Sequence, residues 1–218
     1  MQYVLLGGVV LMTGCFPSKS ARVQTLGDAQ ISAPTPPVSG QESLGDLPNG
    51  QWVTSNIAVG GQPSKEDLKL LKDAGLDLVI NFRRPIEMSF DERGYLAELG
   101  VRYVQFPIGG VGDFYQEGPA LPEFGLEPGV VLGQVHTLLN GFSVDSEGVS
   151  SNGGTPRVLV HCASGNRVGA VFALMAYQFD QVEIEAALEH GRAHGLTGLA
   201  SSVRSALESQ TEQKEAAP

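Results

Sequence analysis

Cysteine is almost missing from this chain: of 218 residues only Cys15 and Cys162 carry a thiol. A small scaffold stapled by several disulfides is therefore excluded. Positive charge is scarce as well. The 14 Lys and Arg are outnumbered by 24 Asp and Glu, giving a formal net charge of −10. Such a surface is a poor general binder of nucleic acid or of anionic lipid headgroups, so any anion must be held by a local site. There is one Trp, no internal repeat, and no apolar run near the roughly 20 residues that span a bilayer. What is present is a 42% hydrophobic composition, enough for one domain with a proper core plus polar tails.

The longest apolar run lies at the start, from Tyr3 to Gly14, and has the length of a signal-peptide core. It ends in Leu11-Met12-Thr13-Gly14-Cys15. Small residues just before a cysteine resemble the lipobox of bacterial lipoproteins, although Met12 stands where Leu is usual and no Lys or Arg precedes the core. The resemblance implies cleavage after Gly14, lipid on Cys15 and attachment to a membrane through that lipid. With Phe16 next rather than Asp, it also implies sorting to the outer membrane, facing the periplasm. More than one acyl chain is needed for a stable anchor. Cys162 then has no partner in its own chain, and remains a free thiol in an oxidising compartment.

Composition divides the rest. Residues 1–14 read as the signal peptide, and 15–49, rich in Ser, Pro, Gly and Gln, as a flexible tether. Residues 50–210 read as the folded domain and 211–218 as a polar tail. Inside the domain, strand-like and helix-like stretches alternate. Short strands near Trp52–Val53 and Ile57–Val59 lead into Gly-Gly-Gln-Pro-Ser, where Ser64 caps a helix that carries Glu66 and Asp67 in its first turn and ends at Gly75. The β-branched run 76–82 predicts a buried strand, and 90–99 a short helix ending at Gly100. A second strand is expected at 101–108, followed by a Gly-rich loop over 109–126. Pro128 suits the first turn of a helix reaching Leu139, and 142–156 reads as a surface loop. A strand at 157–161, a helix from Val168 that is apolar nearly all round, and helices near 181–193 and 198–209 complete the chain. The alternation predicts an α/β fold with a largely parallel sheet flanked by helices.

The chemistry concentrates in Val160-His161-Cys162-Ala163-Ser164-Gly165-Asn166-Arg167-Val168-Gly169. A loop that leaves a parallel strand and opens a helix aims backbone N–H groups, and the positive end of the helix dipole, at whatever sits above it. Gly165 permits a tight turn. Arg167 supplies a planar fork of donors that matches an oxyanion. A thiol in that field is favoured in its nucleophilic form. Cys162 as a small buried hydrophobe would explain the thiol but not an arginine placed at the positive end of a helix.

The pattern resembles the cysteine-dependent phosphatases of the tyrosine and dual-specificity superfamily, with a loop one residue shorter, Cys-x4-Arg, and Val168 in place of the usual hydroxyl. A four-residue gap also looks like rhodanese sulfurtransferases, but their Gly-His-Ile stretch is missing. Residues 55–180, with Gly-Gln-Pro, the strand Val79-Ile80-Asn81-Phe82-Arg83 and the Cys-x4-Arg loop, resemble a bacterial phosphatase-like domain also found in beta-lactamase-hydrolase-like proteins. The resemblance implies a three-layer phosphatase-like sandwich and hydrolysis of a phosphomonoester, on a small molecule or a protein. Cys162 would be the nucleophile and Arg167 the phosphate clamp. His161, Ala163, Ser164, Gly165 and Asn166 would line the site. Asp113, after the second strand, is the candidate general acid and Glu117 the second choice; Asp113 as a carboxylate that only solvates its loop is the competing reading. No metal and no cofactor is implied. A persulfide-carrying sulfurtransferase and a non-catalytic anion- or partner-binding module remain the alternatives.

Two further clusters invite assignment. Arg83 and Arg84 end a strand on the side where α/β sites lie, and pairing with Glu87 is their expected role. His190 and His194 stand four apart on a helix, a spacing able to hold a metal. With no third ligand in the pattern, a solvated helix face is expected there.

Overall fold

The computed structural model describes residues 43–141 and 157–215. The expected signal peptide, Cys15, most of the expected tether and the expected surface loop 142–156 lie outside the described residues. Five strands form one sheet: β1 (Gln51–Trp52), β2 (Ile57–Gly60), β3 (Leu76–Asn81), β4 (Arg102–Gln105) and β7 (Arg157–His161). Their order is β1-β2-β7-β3-β4, with β1 antiparallel to β2 and every other pairing parallel. Two short strands, β5 (Glu117–Gly118) and β6 (Gly129–Val130), make a separate ribbon.

Successive strand residues point to opposite faces, and each face has its own core. Leu78, Ile80, Val158 and Val160 pack with α3 (Val131–Gly141), α4 (Asn166–Gln178), α5 (Ile184–Ala193) and α6 (Ala200–Glu215). Val79 and Leu159 face the other way, onto Leu68 and Leu71 of α1 (Lys65–Asp73) and Leu96 of α2 (Glu92–Glu98). The result is the expected three-layer α/β sandwich. Because both faces are covered, β3 is buried along its whole length, which is why it reads as an unbroken apolar run apart from Asp77 and Asn81.

Local signals decide the element ends. Ser64 and Asp67 form a reciprocal cap at the start of α1, with the Asp67 N–H donating to Ser64 Oγ at 3.0 Å and the Ser64 N–H to Asp67 Oδ2 at 2.9 Å. Gly75 follows that helix at φ +96°, where glycine carries no steric penalty. α3 begins at Val131 rather than near Pro128, because 129–130 pair with β5 first. α6 runs to Glu215, into the stretch 211–218 that was expected to be a polar tail. Residues 43–49, assigned to the tether by composition, pack on the domain: Leu47 is buried, and the Asp46 N–H donates to Asp67 Oδ1 at 2.9 Å.

α4 and α5 meet at two glycines. A Cβ on Gly169 would lie 2.6 Å from the Gly191 carbonyl oxygen and 2.0 Å from the Leu196 nitrogen. This contact brings the turn after α5 against the start of α4, where the Cys162 loop ends.

Candidate active site

β7, the strand that carries the loop, is central. It pairs with β2 through Gly60–His161 and with β3 through Asn81–His161 at its final residue. The loop therefore rises from the C-terminal edge between two parallel neighbours, where ligands of open α/β sheets bind. Cys162 follows at once, and its N–H reaches the Gly60 carbonyl at 3.3 Å. Gly165, at φ +88°, turns the chain into α4.

Inside the turn, the Gly165 N–H donates to Cys162 Sγ at 3.2 Å. The thiol itself is 1% exposed, at the floor of the loop. The Ala163 carbonyl accepts the Gln62 N–H at 3.2 Å, from outside the turn. In a trans peptide the C=O and N–H point opposite ways. Tying the Ala163 carbonyl outward thus turns the Ser164 N–H inward. On the Cys162–Ala163 peptide, His161 Nδ1 lies 3.3 Å from the Cys162 oxygen. A nest of inward amides over a sulfur is what an anionic group requires.

Arg167 lies beside the nest, one residue into α4. Its guanidinium donates to both carboxylate oxygens of Glu87, at 2.5 and 3.0 Å, and to the Phe82 carbonyl at 3.1 Å. That fork-to-fork geometry fixes the plane of the guanidinium. The Arg167 hydrogen bonds, with the Arg84 N–H adding a further donor, hold the Glu87 carboxyl down at about 2. Glu87 was expected to serve Arg83 and Arg84; its main partner is Arg167. Arg84 makes a 3.6 Å ion pair with it, and Arg83 instead donates to the Glu87 backbone carbonyl and to Gln62 Oε1 at 2.6 Å.

His161 was expected to line the site; it lies instead behind the loop, in a buried polar network with Glu92. His161 is fully buried, and its Nε2 sits 3.2 Å from Glu92 Oε2. Glu92, the first residue of α2, is 2% exposed. It accepts Asn81 Nδ2 at 2.6 Å and Gln62 Nε2 at 2.9 Å. Burial pushes its carboxyl up, but His161, Gln62 and Asn81 outweigh that and leave it below the usual range. Tyr103, near the same carboxylate, is pushed well above its ordinary value by burial and by the charge of Glu92. The signal available in the sequence was the pair of motifs Gly-Gln-Pro and Val-Ile-Asn, which supply Gln62 and Asn81.

Asp113 lies in a single 3₁₀ turn, Val111–Tyr115. Its Oδ2 accepts the N–H groups of Gly109 and Gly110 at 2.6 and 3.0 Å. A Cβ on Gly109 would stand 3.3 Å from that oxygen and 3.8 Å from Arg84 Nη1, so Asp113 and Arg84 flank the same glycine. Phe114 anchors the turn edge-on against Phe82, at 5.4 Å between ring centroids, and Phe82 is the residue whose carbonyl holds Arg167. Glu117 is exposed on the β5–β6 ribbon. Ala163 and Ser164 are exposed on the loop. The Asn166 side-chain oxygen accepts the Thr197 and Leu199 N–H groups at 2.8 and 3.3 Å, tying it to the turn after α5.

His190 and His194 do not form a solvated face. His194 is 5% exposed and stacks on Phe172 with centroids 4.8 Å apart, and the two imidazoles lie 4.4 Å from each other. Burial, then the neighbouring His194, pushes His190 down to about 4. Among the described residues no group of three or more His, Cys, Asp or Glu is placed to hold a metal ion.

The fold, with the Cys162 loop at the centre of the sheet, is similar to that of solved phosphatase structures. No protein-family model matches the sequence, and no curated protein does. Among solved structures, Tk-PTP in its active form is similar at 17% identity and a TM-score of 0.50, over 74% of this chain and 97% of that one. The kinase associated phosphatase is similar at 16% identity, TM-score 0.49, over 74% and 89%. TpbA of P. aeruginosa, in complex with pTyr, is similar at 18% identity, TM-score 0.42, over 73% and 90%. The first pairing spans nearly all of the solved chain, so what is shared is a whole fold rather than a fragment of one.

Proposed function

We propose that this protein is a cysteine-dependent phosphomonoester hydrolase held at the bacterial envelope by lipid on Cys15. The observation that carries the reading is the Gly165 N–H aimed at Cys162 Sγ, beside an arginine oriented by Glu87. The Cys162 thiolate attacks phosphorus while the bond to the leaving oxygen breaks. Asp113, protonated, gives its proton to that oxygen. The loop amides and Arg167 hold the three equatorial oxygens. Water then attacks the phosphocysteine, Asp113 takes up its proton, and the S–P bond breaks to return thiolate and inorganic phosphate. Asp113 Oδ2 already accepts two amides, so in this reading the proton is carried on Oδ1.

One feature favours a second reading. A Cys-x4-Arg loop has one amide fewer than a Cys-x5-Arg loop, which suits the smaller group of a persulfide, and sulfur transfer needs no acid. The deciding experiment assays the full chain in detergent with p-nitrophenyl phosphate and with thiosulfate plus cyanide. Phosphate release lost in Cys162→Ser and strongly reduced in Asp113→Asn supports the hydrolase. Cys162-dependent thiocyanate without phosphate release overturns it, and silence in both assays from a folded protein leaves an anion- or partner-binding module. The anchor is tested separately: a mature chain that begins at a lipid-bearing Cys15 and becomes soluble or uncleaved in Cys15→Ser supports it, and an unmodified Met1 start in native cells refutes it.

A further inference from the structure

We infer that Asn49, in the last residues of the presumed tether, is a positioning residue for the nucleophile loop; the inference rests on the anion-holding role given to that loop above. Asn49 Nδ2 donates to the Ser164 carbonyl oxygen at 3.0 Å, across 115 residues of sequence. That oxygen belongs to the same peptide unit as the Gly165 N–H, which donates to Cys162 Sγ at 3.2 Å. The unit is trans, so its two polar ends point opposite ways. Holding the oxygen outward aims the hydrogen at the sulfur, and at any oxyanion bound above it.

The support reaches deeper than one hydrogen bond. Asn49 takes φ +52°, a left-handed conformation uncommon outside glycine and one that asparagine tolerates. The residues before it are fixed: the Pro48 carbonyl accepts the Gly61 N–H at 2.7 Å, and Leu47 is buried against Gly60. Gly61 in turn bridges Ser164. A Cβ on Gly61 would lie 2.8 Å from the Ala163 oxygen and 3.1 Å from the Pro48 oxygen. The two glycines of Gly60-Gly61-Gln62 thus let three strips of backbone stack edge to edge: the strap 47–49, the end of β2, and Ala163–Ser164. The Ala163 and Ser164 carbonyls are both held from outside, by the Gln62 N–H and by Asn49. A domain cut to begin at residue 50 would lose the second of these.

The test uses the full chain in detergent and two variants. Asn49→Asp keeps size and tolerance of the left-handed backbone but turns an acceptor toward a carbonyl. Asn49→Gly keeps the backbone and removes the donor. Alkylation of Cys162 by iodoacetamide, followed on its own tryptic peptide, is measured at neutral pH with and without inorganic phosphate, beside p-nitrophenyl phosphate turnover and the melting temperature. In Asn49→Asp the alkylation rate should fall several-fold. Its kcat/KM should fall about tenfold, less than the roughly hundredfold cost of losing a direct oxyanion donor. More phosphate should be needed for protection, while melting stays close to wild type. Asn49→Gly should show the same changes more weakly. A residue serving only the backbone turn would leave Cys162 chemistry unmoved in both variants, and alkylation and phosphate protection within twofold of wild type would overturn the inference. A wild type without turnover or phosphate protection would instead sink the hydrolase reading. Asn49 would then be judged on the alkylation rate alone, because the Gly165–Sγ contact precedes any ligand.

Discussion

Glu87 holds Arg167 through both carboxylate oxygens, at 2.5 and 3.0 Å, from a 3₁₀ turn some 80 residues away in the chain. The pair is partly buried, with side-chain exposures of 17% and 20%, so it is neither a loose surface ion pair nor a fully desolvated one. Its value lies in orientation: a guanidinium held on one edge presents the other in a single plane.

Glu87→Gln should therefore cost activity before it costs the fold. The amide keeps the shape but loses the charge and one acceptor, and kcat/KM should fall by about tenfold to a hundredfold. Wild-type Glu87 is depressed to about 2, so its stabilising contribution is present above the ordinary Glu value of about 4.3. It is lost as pH falls from there through 2. A melting-temperature profile over that acid range should be flatter in the variant.

Glu92→Gln tests the network behind the loop. It removes the carboxylate facing His161 in a site where both side chains are buried. Glu92 is also the buried charged acceptor for Asn81 and Gln62; losing it should cost about 2 kcal/mol, and urea unfolding should read that loss. A variant as stable as wild type would mean that the pair contributes no net stability.

The neighbouring imidazoles of His190 and His194 give a second pH window with a different cause. His190 is depressed by burial to about 4, and His194 is depressed in the same direction. The folded protein therefore binds protons here less readily than the unfolded chain, whose histidines titrate near 6.5. Stability from this cluster is complete above that value and declines as pH falls toward 4. His190→Leu should remove most of that slope in unfolding measurements between pH 6.5 and 4.

Gly169→Ala sets helix propensity against packing. Alanine gains about 1 kcal/mol in a helix interior. Its Cβ would meet the Leu196 nitrogen at 2.0 Å and the Gly191 oxygen at 2.6 Å, both backbone atoms unable to rotate away. The clash should win by about 3 kcal/mol, and a variant at or above wild-type stability would show that the α4–α5 seam can open.

Much of this was legible in sequence because local chemistry dictates it. The apolar run of β3, the Ser64 cap and the Gly165 turn into α4 all follow from period, propensity and the freedom of glycine. Contacts between polar groups far apart in the chain were not legible. Glu87 lies beside two arginines in sequence, yet its main partner comes from α4. Glu92 looks like an ordinary helix-start acid, where the dipole alone would explain it, until β7 brings His161 against it. Asn49 sits among tether-like residues, and only the strap over Gly60–Gly61 gives it a role.

The strand order has a consequence for how the chain becomes active. β7 is the last strand in sequence but lies in the middle of the sheet, between β2 and β3. Without it the sheet divides into two unconnected pairs, β1–β2 and β3–β4. Both neighbours must wait for a strand that starts at Arg157, and such distant pairings form slowly because the chain entropy is spent before the contacts repay it. Cys162 is thus the residue that follows the closing strand. A truncated or half-folded chain lacks the turn that seats this thiol against the Gly165 N–H, and the burial of Cys162 becomes a direct gauge of whether the sheet has closed.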